Sequence, residues 1–347
     1  MSSAKPRRND IEETDPEAFK QMLEEFRNTM KKKCSSFPDE RDYYTSNLIL
    51  TDFLRARKYN LNDAVAMLTK AVEWRHTYHP LSIDCTYCHE NPGFHCIREI
   101  GHDMYGRPIL YACFAQANTT KNHSEDTIMH CVEMLENVRR SFQGDATQLV
   151  MIIDCTGMTL PCCNPNLGKR VMNVFADYYP ERLGRAVIVN YKSVFKRIWS
   201  AIKSFLDPVT ASKVVFLKTK KKPASRSKTK MLDEGLREFC DEATAKWLED
   251  EINLNKEINE SQMRFWEKPS GNVHDPRGTD AYIRDYIDCQ SPPNGFKPHP
   301  NIVDIKTGKL QRGYAVNIRR SKSDKIGSKE MAEYGIDENA TIEDDSD

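Results

Sequence analysis

Apolar positions recur along this chain at two different spacings, and the change from one to the other divides it. Phe19, Met22, Leu23, Phe26 and Met30 fall three or four residues apart, which predicts a helix with one apolar face. Thr14-Asp15-Pro16-Glu17 reads as its capping box, with proline in the first turn, and Cys34 to Pro38 stops it. A second helix is expected from about Thr45 to Arg57. A third is expected from Leu61 to Tyr78, with Leu61, Val65, Leu68 and Val72 in a stripe. From Ile97 the pattern becomes short apolar runs alternating with helical stretches. Ile109–Phe114, Leu149–Ile153, Ala186–Val189 and Val214–Leu217 read as strands, the second continuous enough for burial on both faces. Helices are expected after Ser124, with Ile128, Cys131, Leu135, Val138 and Phe142, and after Pro165, with Leu167, Val171, Val174 and Tyr178. Two more are expected at Lys230–Cys240 and Ala243–Phe265. Strands separated by helices predict an α/β fold whose sheet is mostly parallel, preceded by a helical N-terminal unit.

The stretch from Tyr178 to Lys218 gathers the pieces of a binding site. Its two apolar runs flank a segment in which Val194, Phe195, Ile198, Trp199, Ala201, Ile202, Phe205 and Leu206 share one arc of roughly 160° on a helix, with Lys192, Lys196, Arg197 and Lys203 opposite. Glu181, Arg182, Arg185, Thr210 and Lys213 stand just outside the apolar parts. An apolar cavity with a few polar groups at its rim suits an amphiphilic ligand. The same periodicity would serve an ordinary amphipathic helix packed on a sheet, and the pattern does not separate the two.

Composition narrows the class. The 347 residues are 39% hydrophobic and 29% charged, with a formal net charge of zero. A soluble globular protein is expected, and no overall field attracts nucleic acid, so no nucleic-acid partner is expected. The first residues hold no signal-like apolar run, and no apolar run is long enough to cross a bilayer. With an odd total of eleven cysteines, this predicts reduced thiols and a cytoplasmic setting. Lys218–Lys230 holds seven basic residues and no acidic one. It reads as a solvated loop, an anionic-membrane contact or a nuclear localisation signal.

Several motifs together resemble the CRAL-TRIO lipid-binding family, in particular its phosphatidylinositol transfer branch. They are Phe53-Leu54-Arg55-Ala56-Arg57-Lys58-Tyr59 with Trp74-Arg75, the turn Asp103-Met104-Tyr105-Gly106-Arg107-Pro108, the segment Tyr179-Pro180-Glu181-Arg182-Leu183-Gly184, and Phe205 to Lys213. The resemblance covers roughly Thr45 to Leu217. With the periodicity it sets a helical N-terminal unit at 14–80 and a lipid-binding domain at 81–265 with a gate helix over an apolar pocket, while composition alone marks 1–13 as disordered and 266–347 as an irregular extension with an acidic tail. The resemblance further implies that Arg57, Glu181, Thr210 and Lys213 bind a phosphatidylinositol headgroup. Lys213 would offset the phosphodiester charge, Thr210 would hydrogen-bond it, and Glu181 would accept from inositol hydroxyls. Phe195, Ile198, Trp199, Ile202, Phe205 and Leu206 would form the gate and acyl pocket. Where the transfer branch carries small hydroxyl residues and a tyrosine for phosphatidylcholine, this chain has Leu149, Met151 and Leu110, so a more apolar second ligand is expected. The family's closing segment is replaced by the basic run. No cofactor is implied beyond bound lipid. The implied partners are phospholipid, a transiently touched membrane surface and a lipid kinase to which phosphatidylinositol is presented. A scaffold module with a vestigial pocket, or a carrier of a different hydrophobic ligand, is the alternative.

Other chemistry has less support. Cys85, Cys88, His95 and Cys96 offer zinc-ligand types, but their spacing matches no common motif. His95-Cys96 and His130-Cys131 lack the arginine of a cysteine-phosphatase loop, with His102 and Asn137 in its place, and no phosphate-binding glycine loop occurs. The chain is therefore not expected to be an enzyme.

Overall fold

The computed structural model describes residues 11–84, 97–114, 124–158, 164–191, 195, 199, 208–219, 230–255 and 316–317. The chain divides into two compact units, one comprising Met1–His79 with Asn173–Arg182 and the other Pro80–Met172 with Leu183–Asp347.

The first unit is helical: α1 (Ile11–Thr14), α2 (Pro16–Lys33), α3 (Arg41–Thr45), α4 (Asn47–Ala56) and α5 (Leu61–Tyr78). Asp15, not Thr14, caps α2: its carboxylate accepts from Ala18 N–H at 3.1 Å while Thr14 ends the preceding turn. That turn lies where disorder was expected. Glu12 holds it, accepting from Arg55 at 2.7 and 2.6 Å and from the Tyr59 hydroxyl at 2.6 Å. The expected second helix is α4, and a further short helix, α3, precedes it, set off by the extended backbone of Ser46. The third runs as expected. Asn60 caps it by accepting from Asp63 N–H, and His79 closes it in the left-handed region at φ 51°. Phe26, Met30, Leu50, Phe53, Leu54, Leu68 and Val72 fill the core between these helices. Burying that much apolar surface is what lets short helices persist.

The second unit is built on a six-stranded sheet, β2 (Ile97–His102), β3 (Pro108–Cys113), β4 (Leu149–Asp154), β5 (Leu183–Val189), β6 (Val214–Lys218) and β7 (Lys230–Met231), in that spatial order. β2 pairs antiparallel with β3 and every other pair is parallel, so the α/β reading and the mostly parallel sheet are both seen. A separate parallel pair joins β1 (Ile83–Asp84) to β8 (Val316–Asn317). Helices α6 (Ser124–Ser141), α7 (Pro165–Tyr178), α8 (Pro208–Ser212), α9 (Leu232–Leu236) and α10 (Glu242–Leu254) complete the described α-helices, and single 3-10 turns stand at Pro38–Glu40 and Pro80–Ser82. The helix expected over Lys230–Cys240 is shorter, because Lys230 and Met231 are drawn into the sheet edge.

The turn between β2 and β3 shows how the sheet edge is set. The Asp103 carboxylate accepts from the N–H groups of Tyr105 and Arg107, each at 2.9 Å, and from the Arg107 guanidinium at 2.7 Å. Gly106 sits at φ +75°, and a Cβ there would stand 2.5 Å from the Gln143 carbonyl oxygen. Gly106→Ala therefore meets both backbone strain and a backbone clash. It is expected to lower unfolding free energy by at least about 2 kcal/mol, read as a lower urea midpoint with an unchanged slope.

Candidate functional site

Because side chains alternate along a strand, the sheet has two chemically separate faces. On one, Ile109, Tyr111, Val150, Ile152, Val187, Val189 and Leu217 pack with Leu236, Phe239, Leu248 and Ile252 of the C-terminal helices into a sealed core. On the other, strand register aligns Glu99, Leu110, Met151, Ala186 and Val214 in one row. Ile97, Ala112, Ile153, Ile188 and Phe216 form the next. Met151, Ile153, Val214 and Phe216 are only partly buried, although they lie on the inner strands β4 and β6. The expectation that β4 is buried on both faces thus holds for one face only. Its neighbours cover the face carrying Val150 and Ile152 and leave accessible apolar surface at Met151 and Ile153. Of the three residues expected to line a pocket on these strands, Leu110 is 1% and Leu149 0% exposed, and Met151 keeps accessible surface.

Aromatic rings gather at the Phe216 end of this open face. Tyr191 meets Phe216 edge-on at 4.9 Å between centroids, and Trp199 does so at 5.7 Å. Phe195 is buried and lies 6.5 Å from Tyr191, while the Lys218 ammonium stands 5.1 Å from the Tyr191 centroid. Phe195 and Trp199 of the expected gate segment therefore lie beside the apolar face. Ile198, Ile202, Phe205 and Leu206 lie outside the described residues, as do the zinc candidates Cys85, Cys88, His95 and Cys96. Among the described residues no group of three or more His, Cys, Asp or Glu is placed to hold a metal ion.

The four implied headgroup residues fall in two groups. Thr210 and Lys213 belong to the second unit, both half-buried, one helical turn apart at the end of α8. Lys213 N–H donates to the Thr210 carbonyl at 3.1 Å, and the Lys213 carbonyl accepts from Ala186 N–H at 3.0 Å, tying the turn to the sheet. Arg57 and Glu181 belong to the first unit. Arg57 is exposed and forms the C-cap of α4, where two left-handed residues, Lys58 and Tyr59, turn the chain. Glu181 is itself left-handed, at φ +58°. Arg182, which also stood among the rim residues, is instead buried against Asp52 at 2.5 Å.

Sequence reasoning missed a buried polar network at the far ends of β3 to β6. Asp154 accepts from the Tyr111 hydroxyl at 3.1 Å, from Asn255 at 2.5 Å, and from the N–H and hydroxyl of Thr156 at 2.9 and 2.6 Å. Asn190 donates to Thr156 and accepts from Thr219, so the network joins four strand ends to the end of α10. An acid terminating a fully apolar run was the available signal. Burial pushes Asp154 up to about 6, with the bonds from Thr156, Asn255 and Tyr111 acting the other way.

Residues 95–242 match the CRAL/TRIO domain model. The chain thus carries a CRAL/TRIO domain, and that domain holds the whole of β2 to β7. A CRAL-TRIO domain-containing protein of Schizosaccharomyces pombe is 29% identical over 178 residues, which cover 48% of this chain and 40% of that protein. The phosphatidylinositol transfer protein CSR1 of Eremothecium gossypii is 24% identical over 285 residues, covering 64% of this chain and 65% of that one. The chain thus spans less than two thirds of the length of either curated relative. The crystal structure of Sfh5 superposes with a TM-score of 0.49 at 19% identity, over 61% of this chain and 82% of that chain.

The buried acid at the edge of the open face, Glu99, sets a pH dependence. Burial pushes it from 4.5 up to about 7, and a hydrogen bond with Ser141 acts the other way. The folded state then holds a proton that the unfolded chain releases. This contribution to stability is complete below pH 4.5 and is lost as the pH rises through about 7. Glu99→Gln is expected to flatten the fall in urea midpoint across that window, and an unchanged slope would contradict the assignment.

Proposed function

We propose that this chain binds phosphatidylinositol and a second, more apolar ligand, and exchanges them at membrane surfaces facing the cytosol. The observation that carries this reading is the contrast between the two faces of one sheet. Apolar side chains on inner strands are normally sealed, and here Val150, Ile152, Val187 and Leu217 are buried on one face while Met151, Ile153, Val214 and Phe216 on the other keep accessible surface. The name of the Eremothecium gossypii relative supports the choice of phosphatidylinositol.

In this reading acyl chains lie along the open face beside Phe195, Trp199 and Phe216. Lys213 offsets the phosphodiester charge, Thr210 donates to it, Glu181 accepts from the inositol hydroxyls, and Arg57 adds charge or pairs with Glu181. Lys218 and the basic residues after it add an electrostatic contribution at an anionic membrane, about 1 kcal/mol for each residue near the surface. The accessible side chains of this face, Met151, Ile153, Val214 and Phe216, offer no partner to a zwitterionic headgroup. Burying one there without hydrogen bonds is costly, so the second ligand is a neutral lipid. Phosphatidylinositol bound in this way is available for presentation to a lipid kinase. No cofactor other than lipid and no nucleic acid enters the reading.

The test is capture from vesicles of phosphatidylcholine containing phosphatidylinositol, read by native mass spectrometry. The protein is expected to leave the vesicles carrying phosphatidylinositol. Lys213→Ala is expected to lower that occupancy about ten- to a hundredfold, the equivalent of one charge-assisted contact of about 1.5–3 kcal/mol. Absence of captured phosphatidylinositol in the unaltered protein would overturn the reading.

A further inference from the structure

Two energetically unfavourable features stand side by side in the first unit, at residues 181 and 182. Glu181 holds a left-handed backbone conformation at φ +58° without being glycine, which costs about 1–3 kcal/mol. Arg182 buries its guanidinium against the carboxylate of Asp52 at 2.5 Å, with both side chains almost wholly removed from water. An ion pair so buried is commonly no more stabilising than a pair of apolar side chains of similar volume. Stability alone therefore gives little reason for either feature, and their adjacency asks for a shared one.

The surrounding contacts supply it. Before Glu181 the chain is pinned by Tyr178, whose ring stacks on Trp74 at 4.1 Å between centroids and 6° between planes. The Tyr178 carbonyl accepts from the Tyr43 hydroxyl at 3.4 Å, and Tyr179 stands edge-on to Trp74 at 6.0 Å. After Glu181 the chain is pinned by Arg182 on Asp52. Glu181 is thus the partly exposed residue of a segment clamped on both sides. Asp52 lies on α4, the helix whose C-cap is Arg57. The clamp accordingly fixes Glu181 to the same rigid helix that ends in the other headgroup residue of this unit. Arg182 is itself excluded as a ligand contact, because its charge is engaged by Asp52 away from water.

We propose that Asp52 and Arg182 are positioning residues for ligand recognition: their buried ion pair holds Glu181 in its left-handed conformation and fixes its carboxylate relative to Arg57. This rests on the reading that Glu181 engages the inositol headgroup. The pair sets how selectively phosphatidylinositol is held and leaves the apolar face untouched.

The experiment uses the full chain and two lipids with the same acyl chains, phosphatidylinositol and diacylglycerol, each offered in phosphatidylcholine vesicles. The double variant Asp52→Leu/Arg182→Met removes both charges together, so no lone buried charge remains. It is expected to melt at or above the temperature of the unaltered protein and to capture diacylglycerol equally. Its phosphatidylinositol occupancy should fall at least tenfold. Glu181→Gln should lower phosphatidylinositol capture in the unaltered protein and have little further effect in the double variant, which a purely structural pair would not produce. Should the double variant fail to fold, Asp52→Asn keeps an oxygen for Arg182 and is expected to lower phosphatidylinositol capture about threefold with diacylglycerol unchanged. Equal capture of phosphatidylinositol by variant and unaltered protein, or parallel loss of both lipids, overturns the proposal. If the unaltered protein captures no phosphatidylinositol, the functional reading fails first, and the two failures are thereby distinguished.

Discussion

A β-strand sends successive side chains to opposite faces, and in this molecule that alternation separates a sealed set of apolar residues from a partly accessible one. Val150 and Ile152 face the C-terminal helices and disappear into a core with Leu236, Phe239, Leu248 and Ile252. Met151 and Ile153, one residue away from each, stand on the other face and retain accessible apolar surface. The sealed side can supply the burial that holds the sheet together, at about 25 cal/mol per Å². Under the proposed function, the accessible side chains of the other face are the ones a ligand would cover. A one-residue slip of β4 would exchange the two sets, so the parallel register with β3 and β5 decides which residues are sealed.

The polar groups are arranged to keep that division intact. Asp154 ends the apolar run of β4 on the sealed side and draws Tyr111, Thr156 and Asn255 into one buried network. Four donors on one carboxylate offset much of the cost of burying it, and Asn255 ties the end of α10 to the strand ends. In the helical unit, Arg75 plays a comparable part, burying its guanidinium between Glu40 at 2.7 Å and the face of the Tyr43 ring. Other charged side chains stay in reach of solvent: Arg57 is exposed and Glu181 half-buried in the helical unit, and Lys213 is half-buried in the sheet unit.

Much of this was legible in the chain, because periodicity reports burial directly. The bounds of α5, the strand at Leu149 and the parallel pairing of β3 to β6 follow from apolar spacing and from capping residues such as Asn60. The resemblance carried by the Asp103–Pro108 turn and the motifs around Glu181 anticipated the CRAL/TRIO domain. What spacing could not show depends on contacts distant in sequence. Arg182 looks like any rim arginine until Asp52, far away in the chain, is brought against it. Tyr111 and Asn255 meet across 144 positions, and β1 finds its partner only at Val316. The half-open state of β4 also escapes a pattern argument, since a continuous apolar run looks the same whether both of its faces are covered by protein or one is left for a ligand.

The division between the two faces can be measured directly. Phosphatidylinositol bearing a photoreactive group midway along an acyl chain would be loaded from vesicles, irradiated and mapped by peptide mass spectrometry. The account requires adducts on Met151, Ile153, Val214 or Phe216, with none on Val150, Ile152 or Val187. Labelling of the Val150 face, or labels scattered over the outer surface with the Met151 face unmarked, would contradict it.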